Sequence, residues 1–471
     1  MKKNILNFCF LIFATAAFSQ AGHIMQGVGA VNMSMGGAST AQPLDISGAL
    51  QWNPASISTF DSNILKFDIG LFFSSPELSS SLPAGAMWPA DFFGPGTPAS
   101  PPVSGITEDD RGVSPMPALA FVWGSEDSKH TFGASAFGIS GFGVTFPVDN
   151  NSPVDALGNP NPSFNPMENS NPVNYPQAAQ GFGRVESDYM LLQIGFTWAY
   201  EISDQFSIGV QPTINYGALE LMPNPTAKPN LSGFPTADKA SAIGFGAQLG
   251  LFYNSDSGFK AGASYKTAQS FGDFDFDNTY PDGSSGNNSF QMDYPSILSF
   301  GLGYSKGDVD IAFDYRMVDY ENTNGFEASG WNFDGGAPSV AGFGWENISI
   351  ISAGLQYKGI DKLPLRVGYT YSSNPITEEL AFFSVPATAI IKNAFQFGFS
   401  YEANDNLRLD AVYHYGSSGG KTTGEILNPA NVQNNPPYGA ITGSSVSYDM
   451  TTSMIQFGLS YTFNKKEVET K

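Results

Sequence analysis

The feature that most constrains this chain is a two-residue hydrophobic period that recurs along its length. From Met190 to Tyr200 every even position is large and apolar: Met190, Leu192, Ile194, Phe196, Trp198 and Tyr200. Gln193, Gly195, Thr197 and Ala199 fill odd positions between them. A strand sends successive side chains to opposite faces, so this stretch has one oily face and one small or polar face. A soluble set of sandwiches would bury the oily faces equally well. It would not place aromatic residues at so many strand ends, nor alternate short and long connections. A closed barrel with lipid outside and a polar lumen explains all three.

Phasing each segment by its apolar face predicts fourteen strands, an even number suited to a bacterial single-chain barrel. They run near 64–73, 118–123, 131–140, 190–200, 206–216, 243–253, 259–267, 298–304, 309–317, 351–357, 365–371, 395–401, 407–415 and 455–463. Short turns fall at 126–128, 202–204, 255–257, 306–307, 359–363 and 403–405. Long loops fall at about 76–115, 141–186, 219–240, 271–291, 321–346, 374–392 and 417–447. The fold class is therefore all-β, an antiparallel transmembrane barrel spanning 61–463, in the bacterial outer membrane and bathed in its lipid.

The remaining composition narrows the function. No apolar run of about 18 residues follows the N-terminus, which excludes a helical membrane protein. Lys2 and Lys3, the apolar Leu6–Phe13 and the small-x-small Ala17-Phe18-Ser19 predict a signal peptide over 1–19. The only cysteine, Cys9, lies inside it, which removes disulfides and thiol-based metal sites from the mature chain. A net charge of −22 argues against nucleic acid as a partner. Acidic loops, as at Glu108, Asp109 and Asp110, read as solvated surface, with divalent-ion binding as the alternative. His23, His130 and His414 belong to no Ser-His arrangement, and no nucleotide or metal motif is present. The expectation is a protein that is not an enzyme, with no cofactor, no metal and no catalytic residue.

Three local features bear on a ligand. In the third strand Phe132, Ala134 and Ala136 share one face. Phe137 and Ile139 then take over from the other register, followed by Gly138, Gly141 and Gly143. A phase slip among glycines suggests a bulge or kink. The inward faces carry Lys66, Asp68, Lys260, Lys266, Asp310, Asp314, Arg316, Arg366, Arg408 and Asp410, with His414 nearby. These read as a paired interior that anchors a plug, with Lys266 and Arg316 as candidates to meet a ligand carboxylate. In the first long loop Leu82–Phe93 is apolar, and Trp88, Phe92 and Phe93 are candidate ligand contacts, or else a loop core.

Between the signal and the first strand, residues 20–60 lack the barrel pattern. They contain Met33, Met35, Gly36, Gly37 and Ala38, then Asp45-Ile46-Ser47, then Asn53, Pro54 and Ala55. Gly36-Gly37 permits close backbone approach, Pro54 fixes φ, and Asn53 can brace the turn with its side chain. The ordered Met-Gly-Gly-Ala, Asp-x-Ser and Asn-Pro-Ala elements resemble the N-terminal hatch of the FadL-type outer-membrane transporters of hydrophobic compounds. The resemblance implies a monomeric fourteen-stranded barrel, plugged by this segment, that takes up hydrophobic small molecules such as long-chain fatty acids. It further implies ligand capture between outer loops, an inner pocket, and lateral exit through a gap made by a kinked third strand, here Phe137, Gly138, Gly141 and Gly143. The terminal Gly458-Leu459-Ser460-Tyr461-Thr462-Phe463 resembles the signal read by the outer-membrane barrel assembly machinery, with a polar tail over 464–471. The alternative function is an aqueous porin, which needs no plug.

Overall fold

The computed structural model describes residues 22–463; the expected signal peptide and the polar tail lie outside the described residues. Fourteen long strands form the wall. They are β1 (Asn63–Leu82), β2 (Ser114–Trp123), β3 (His130–Phe146), β4 (Val185–Ser203) and β5 (Phe206–Met222). Next come β6 (Ala240–Asn254), β7 (Phe259–Lys266), β8 (Ser296–Lys306), β9 (Val309–Asp319) and β10 (Ile348–Tyr357). β11 (Leu365–Ser372), β12 (Asn393–Glu402), β13 (Leu407–Ser417) and β14 (Ser445–Phe463) complete the set. Each pairs antiparallel with its neighbour in sequence, and β1 closes the wall by pairing with β14, Phe67 opposite Leu459. Closure leaves no free sheet edge in lipid.

The phasing matches the predicted faces. Phe196, Phe245, Phe395 and Phe457 are all more than half exposed, whereas Gln193, Gln211, Gln248 and Gln396 on the alternate face are buried. Several strands run further on the long-loop side than their hydrophobic period indicates. β1 continues through Pro76, which lies opposite Met450, and on to Leu82; β3 continues to Phe146 and β4 starts at Val185. The reason is chemical. Beyond Phe73 the outward residues of β1 are Ser75, Glu77, Ser79 and Ser81, so the wall has left the apolar belt while its backbone ladder persists.

Residues 22–60 run inside the bore. Two short helices, α1 (Ala30–Ser34) and α2 (Ile46–Trp52), lead into a 3-10 turn over Pro54–Thr59. Asp45 caps α2 by accepting a hydrogen bond from the Gly48 amide at 3.1 Å. Asn53 accepts from the Ala55 amide at 3.1 Å, with Pro54 in the first position of the turn, where no N–H is needed.

Candidate functional site

At the short-turn end the bore is ionic. Lys66 of β1 is fully buried and meets three carboxylates: Asp45 at 2.6 Å, Asp410 at 3.0 Å and Asp68 at 3.7 Å. Asp45 belongs to the N-terminal segment, so the cluster ties that segment to β1 and β13. Asp68 adds a bond from the Ala30 amide at 2.9 Å. Across the bore, Asp314 of β9 accepts from the Ser39 and Thr40 amides at 2.9 and 3.0 Å. Asn53 donates to Thr40 O and Leu251 O at 2.8 and 2.9 Å. Gln211 and Gln248 reach the carbonyls of Leu50 and Trp52. Buried charges need such partners, and here Lys66 with Asp45, Asp68 with the Ala30 amide, and Asp314 with the Ser39 and Thr40 amides join the segment to the wall.

The glycine pair is a point of contact with the wall. Gly36 and Gly37 have φ of 70° and 78°. A Cβ on Gly36 would lie 2.6 Å from Tyr369 O, and one on Gly37 would lie 1.9 Å from Gln26 O. Facing them, a Cβ on Gly368 would lie 2.1 Å from Gly36 N. Met33, Met35 and Ala38 are buried beside this contact. Arg316 sits with its guanidinium 3.7 Å from the Trp52 ring and donates to Gly37 O at 2.7 Å. Lys266 donates to Gln193 at 3.0 Å. Arg316 thus meets the segment and Lys266 a wall side chain of β4, and neither lines the two cavities described next.

The third strand is irregular. Its register with β4 shifts between Gly138, opposite Leu192, and Ser140, opposite Leu191, so Ile139 is an extra residue. Up to Ile139 the odd residues face inward; from Ser140 the even ones do. Pairing with β2 ends at Phe137, opposite Ala118. Residues 23–25 bond to the distorted stretch instead. The Met25 amide donates to Ile139 O at 3.0 Å, the Gly141 amide donates to His23 O at 3.2 Å, and the Ser140 hydroxyl donates to His23 O at 2.8 Å. A cavity of about 410 Å³ lies at this break. It is bounded by Pro115 and Met116 of β2, by Ser140, Gly141 and Gly143 of β3, by Met25 and Met450 within the bore, and by Met190 on the lipid-facing side. Arg111 crosses its outer rim, bonding Ser187 O at 3.0 Å and Asp188 at 2.6 Å. A Cβ on Gly143 would occupy the place of that guanidinium.

The loop end of the bore is apolar. His23 stacks on Phe326 at 4.9 Å, with Tyr189, Tyr294 and Trp345 around it, and its Nδ1 lies 2.7 Å from the Tyr320 hydroxyl. Burial pushes this imidazole down to about 3, so it is neutral here. Above it a second cavity, about 350 Å³, opens among the loops. Met87, Val173, Phe182, Phe234, Trp331, Phe382 and Leu427 line it, and no charged residue does. Phe92 and Phe93 are exposed and meet edge to face at 4.9 Å, with the half-buried Trp88 against Phe93, and none of the three lines this cavity. Sequence reading did not find Arg111, Phe182, Phe234, Trp331 or Phe382, since all lie in loops without a period.

The model of the outer membrane protein transport protein family (OMPP1/FadL/TodX) matches residues 167–464, more than half of the chain. The chain belongs to this family. It is an outer-membrane transport barrel for hydrophobic compounds, from a family of channels rather than enzymes. Among solved structures, a Pseudomonas aeruginosa FadL homologue superposes with a TM-score of 0.65 at 13% identity, covering 96% of this chain and 100% of its own. The Pseudomonas putida toluene transporter TodX gives 0.63 at 16%, covering 94% and 100%. The Ralstonia pickettii toluene transporter TbuX gives 0.56 at 17%, covering 93% and 99%. At these identities the likeness is one of fold. No curated protein matches the chain significantly.

Proposed function

We propose that the barrel is a passive, monomeric uptake channel in which residues 22–60 act as a hatch and the ligand leaves sideways between β2 and β3. The observation that carries this reading is the cavity at the break in β3, which joins Met25 inside the bore to Met190 on the membrane face. An apolar compound enters the uncharged outer cavity, passes the aromatic zone around His23, and reaches the wall opening. The anchored segment blocks the axial path, which argues against an open aqueous porin. Side release has an energetic logic, because each CH2 kept out of water is worth about 0.8 kcal/mol. The outer cavity offers no cation to a carboxylate, which favours uncharged ligands such as hydrocarbons over ionised fatty acids.

The test is a cross-link over the opening. A Cβ on Gly138 would lie 3.4 Å from Met116 Cε, so a Met116→Cys, Gly138→Cys pair is within reach of a short bifunctional reagent. The mature chain contains no competing cysteine. In host cells whose outer membrane excludes N-phenyl-1-naphthylamine, uptake of this probe should fall to the barrel-free level on cross-linking and return on cleaving the link. Uptake that ignores the link refutes lateral exit.

A further inference from the structure

The opening lies on one side of β2 only. Toward β1, β2 stays paired through Ser114, opposite Phe72. Toward β3, the pairing stops four residues short of that outer end, at Ala118, although β3 itself runs on to Phe146 against β4. A bulge in β3 explains a local kink. It does not explain why the outer end of β2 fails to follow and re-pair.

The sequence of β2 supplies the cause. It begins Ser114-Pro115-Met116-Pro117-Ala118. In an antiparallel ladder each residue turns its N–H and C=O to one neighbour, and successive residues alternate between the two neighbours. Glycine positions on the flanking strands reveal the phase. Phe121 O lies 3.5 Å from where a Gly133 Cβ would be, and Pro117 O lies 3.9 Å from that of Gly138, both on β3. Met116 O lies 3.6 Å from that of Gly70 on β1. Odd residues of β2 therefore address β3, and even residues address β1. Both prolines fall on the β3 side, where their rings replace the donors a ladder requires. Continuing the register past Ala118 and Phe137 would set Pro117 opposite Gly138 and Pro115 opposite Ser140.

The edge that β2 cannot serve is served by the chain's own start. Ile24 forms an antiparallel bridge with Ser140, through the Met25 and His23 backbone bonds already described. We propose that Pro115 and Pro117 are positioning residues for ligand release: they deny β2 the donors to zip onto β3, hold the wall open, and leave the β3 edge to residues 23–25. The opening is then built into β2 rather than created when a ligand arrives. This inference rests on lateral exit as the route.

The experiment uses the full-length barrel with Pro117→Val alone and with Pro115→Val added, valine being a favourable strand residue. Folding is checked by heat-modifiable electrophoretic mobility. Two readouts follow: amide exchange over 114–118 and 138–141, and N-phenyl-1-naphthylamine uptake by intact cells. Restored donors should slow exchange in both stretches and lower uptake tenfold or more in the double variant, with the single variant between it and the parent. Slowed exchange with parental uptake overturns the proposal, provided the Met116–Gly138 cross-link still blocks uptake in its own variant. Uptake lost without slowed exchange overturns it too, as does parental behaviour in both readouts. If the cross-link leaves uptake intact, lateral exit itself fails, a distinct result. Should the double variant not fold, the single one carries the same comparison.

Discussion

Removing Lys66 should detach the N-terminal segment without opening the barrel. At an effective dielectric of about 20, contacts at 2.6 and 3.0 Å to Asp45 and Asp410 represent attractions of about 6 kcal/mol each before desolvation is counted. Desolvation offsets most of that, and breaking a buried pair by deleting one partner costs about 3–5 kcal/mol net, because the orphaned charge remains. In Lys66→Ala, Asp45, Asp68 and Asp410 stay crowded together, with Arg408 at 3.1 Å from Asp410 as the nearest relief. The backbone ladders of β1 with β2 and β14 do not use the lysine side chain, so the wall should persist. The lost energy falls on the docking of residues 30–48, which Asp45 and Asp68 hold. The undocked population should rise by about two to three and a half orders of magnitude, at about 1.4 kcal/mol per decade. In planar bilayers this appears as ion conductance absent from the parent barrel, and in detergent as new protease cleavage before residue 60. A folded Lys66→Ala barrel with parental conductance and protease resistance would refute the anchoring argument.

Two further outcomes follow from local geometry. Gly36→Ala combines a φ of 70° with a Cβ 2.6 Å from Tyr369 O; the left-handed backbone alone costs about 1–2 kcal/mol. Its melting temperature should drop and the segment should become protease-sensitive, and an unchanged barrel would show that Gly36 does not contact β11 in solution. Burial pushes the Asp109 carboxyl up to about 6, above its ordinary value of about 3.9. The folded chain then holds a proton that the unfolded chain releases, so stability should fall as pH rises from about 4 to 6 and level off above that. Amide exchange at Thr145, whose N–H bonds Asp109, should report this slope, and Asp109→Asn should flatten it; an equal slope in the variant assigns it elsewhere.

The wall was legible in the sequence because lipid imposes a rule on every second residue. All fourteen strands lie where the period places them, and the boundaries differ where that rule stops. Above Phe73 or below Met190 the strands continue in water, where outward serines and acids carry no hydrophobic signal. The inward charges were legible by phase, but their partners were not. Lys66 and Asp45 are brought together by a chain reversal inside the bore that no spacing encodes. The slip expected in β3 at Phe137 is not there: Phe137 and Ile139 continue the buried odd face, the ladder with β4 runs unbroken through Phe137, and the register shifts only between Gly138 and Ser140. The loops were opaque, because Phe182, Phe234 and Trp331 meet through tertiary packing alone. Pro115 and Pro117 were readable as residues, yet their meaning depends on which neighbour β2 addresses there, a property of register.

The two halves of the bore differ in chemistry for a reason that lateral exit makes plain. The segment must be held firmly, and in a polar lumen ion pairs and charge-assisted bonds such as those of Lys66 and Asp314 do this. The same groups set along a ligand's path would demand that an apolar molecule strip their hydrogen bonds, at about 1–3 kcal/mol or more for each group left unsatisfied. Here the ionic anchors sit toward the short turns, while the zone around His23, Phe326, Phe343 and Phe382 up to the loops is aromatic and aliphatic. The break in β3 joins the bore on the loop side of Phe137, above the anchors. A ligand that turns aside at that height avoids these anchors and meets instead the charges lining the opening, Arg111, Glu186, Asp188 and Glu220, of which Arg111 and Asp188 pair with each other. Strong anchoring and apolar passage are thereby compatible within one cylinder, because the exit is cut through the wall above the anchors instead of through the segment they hold.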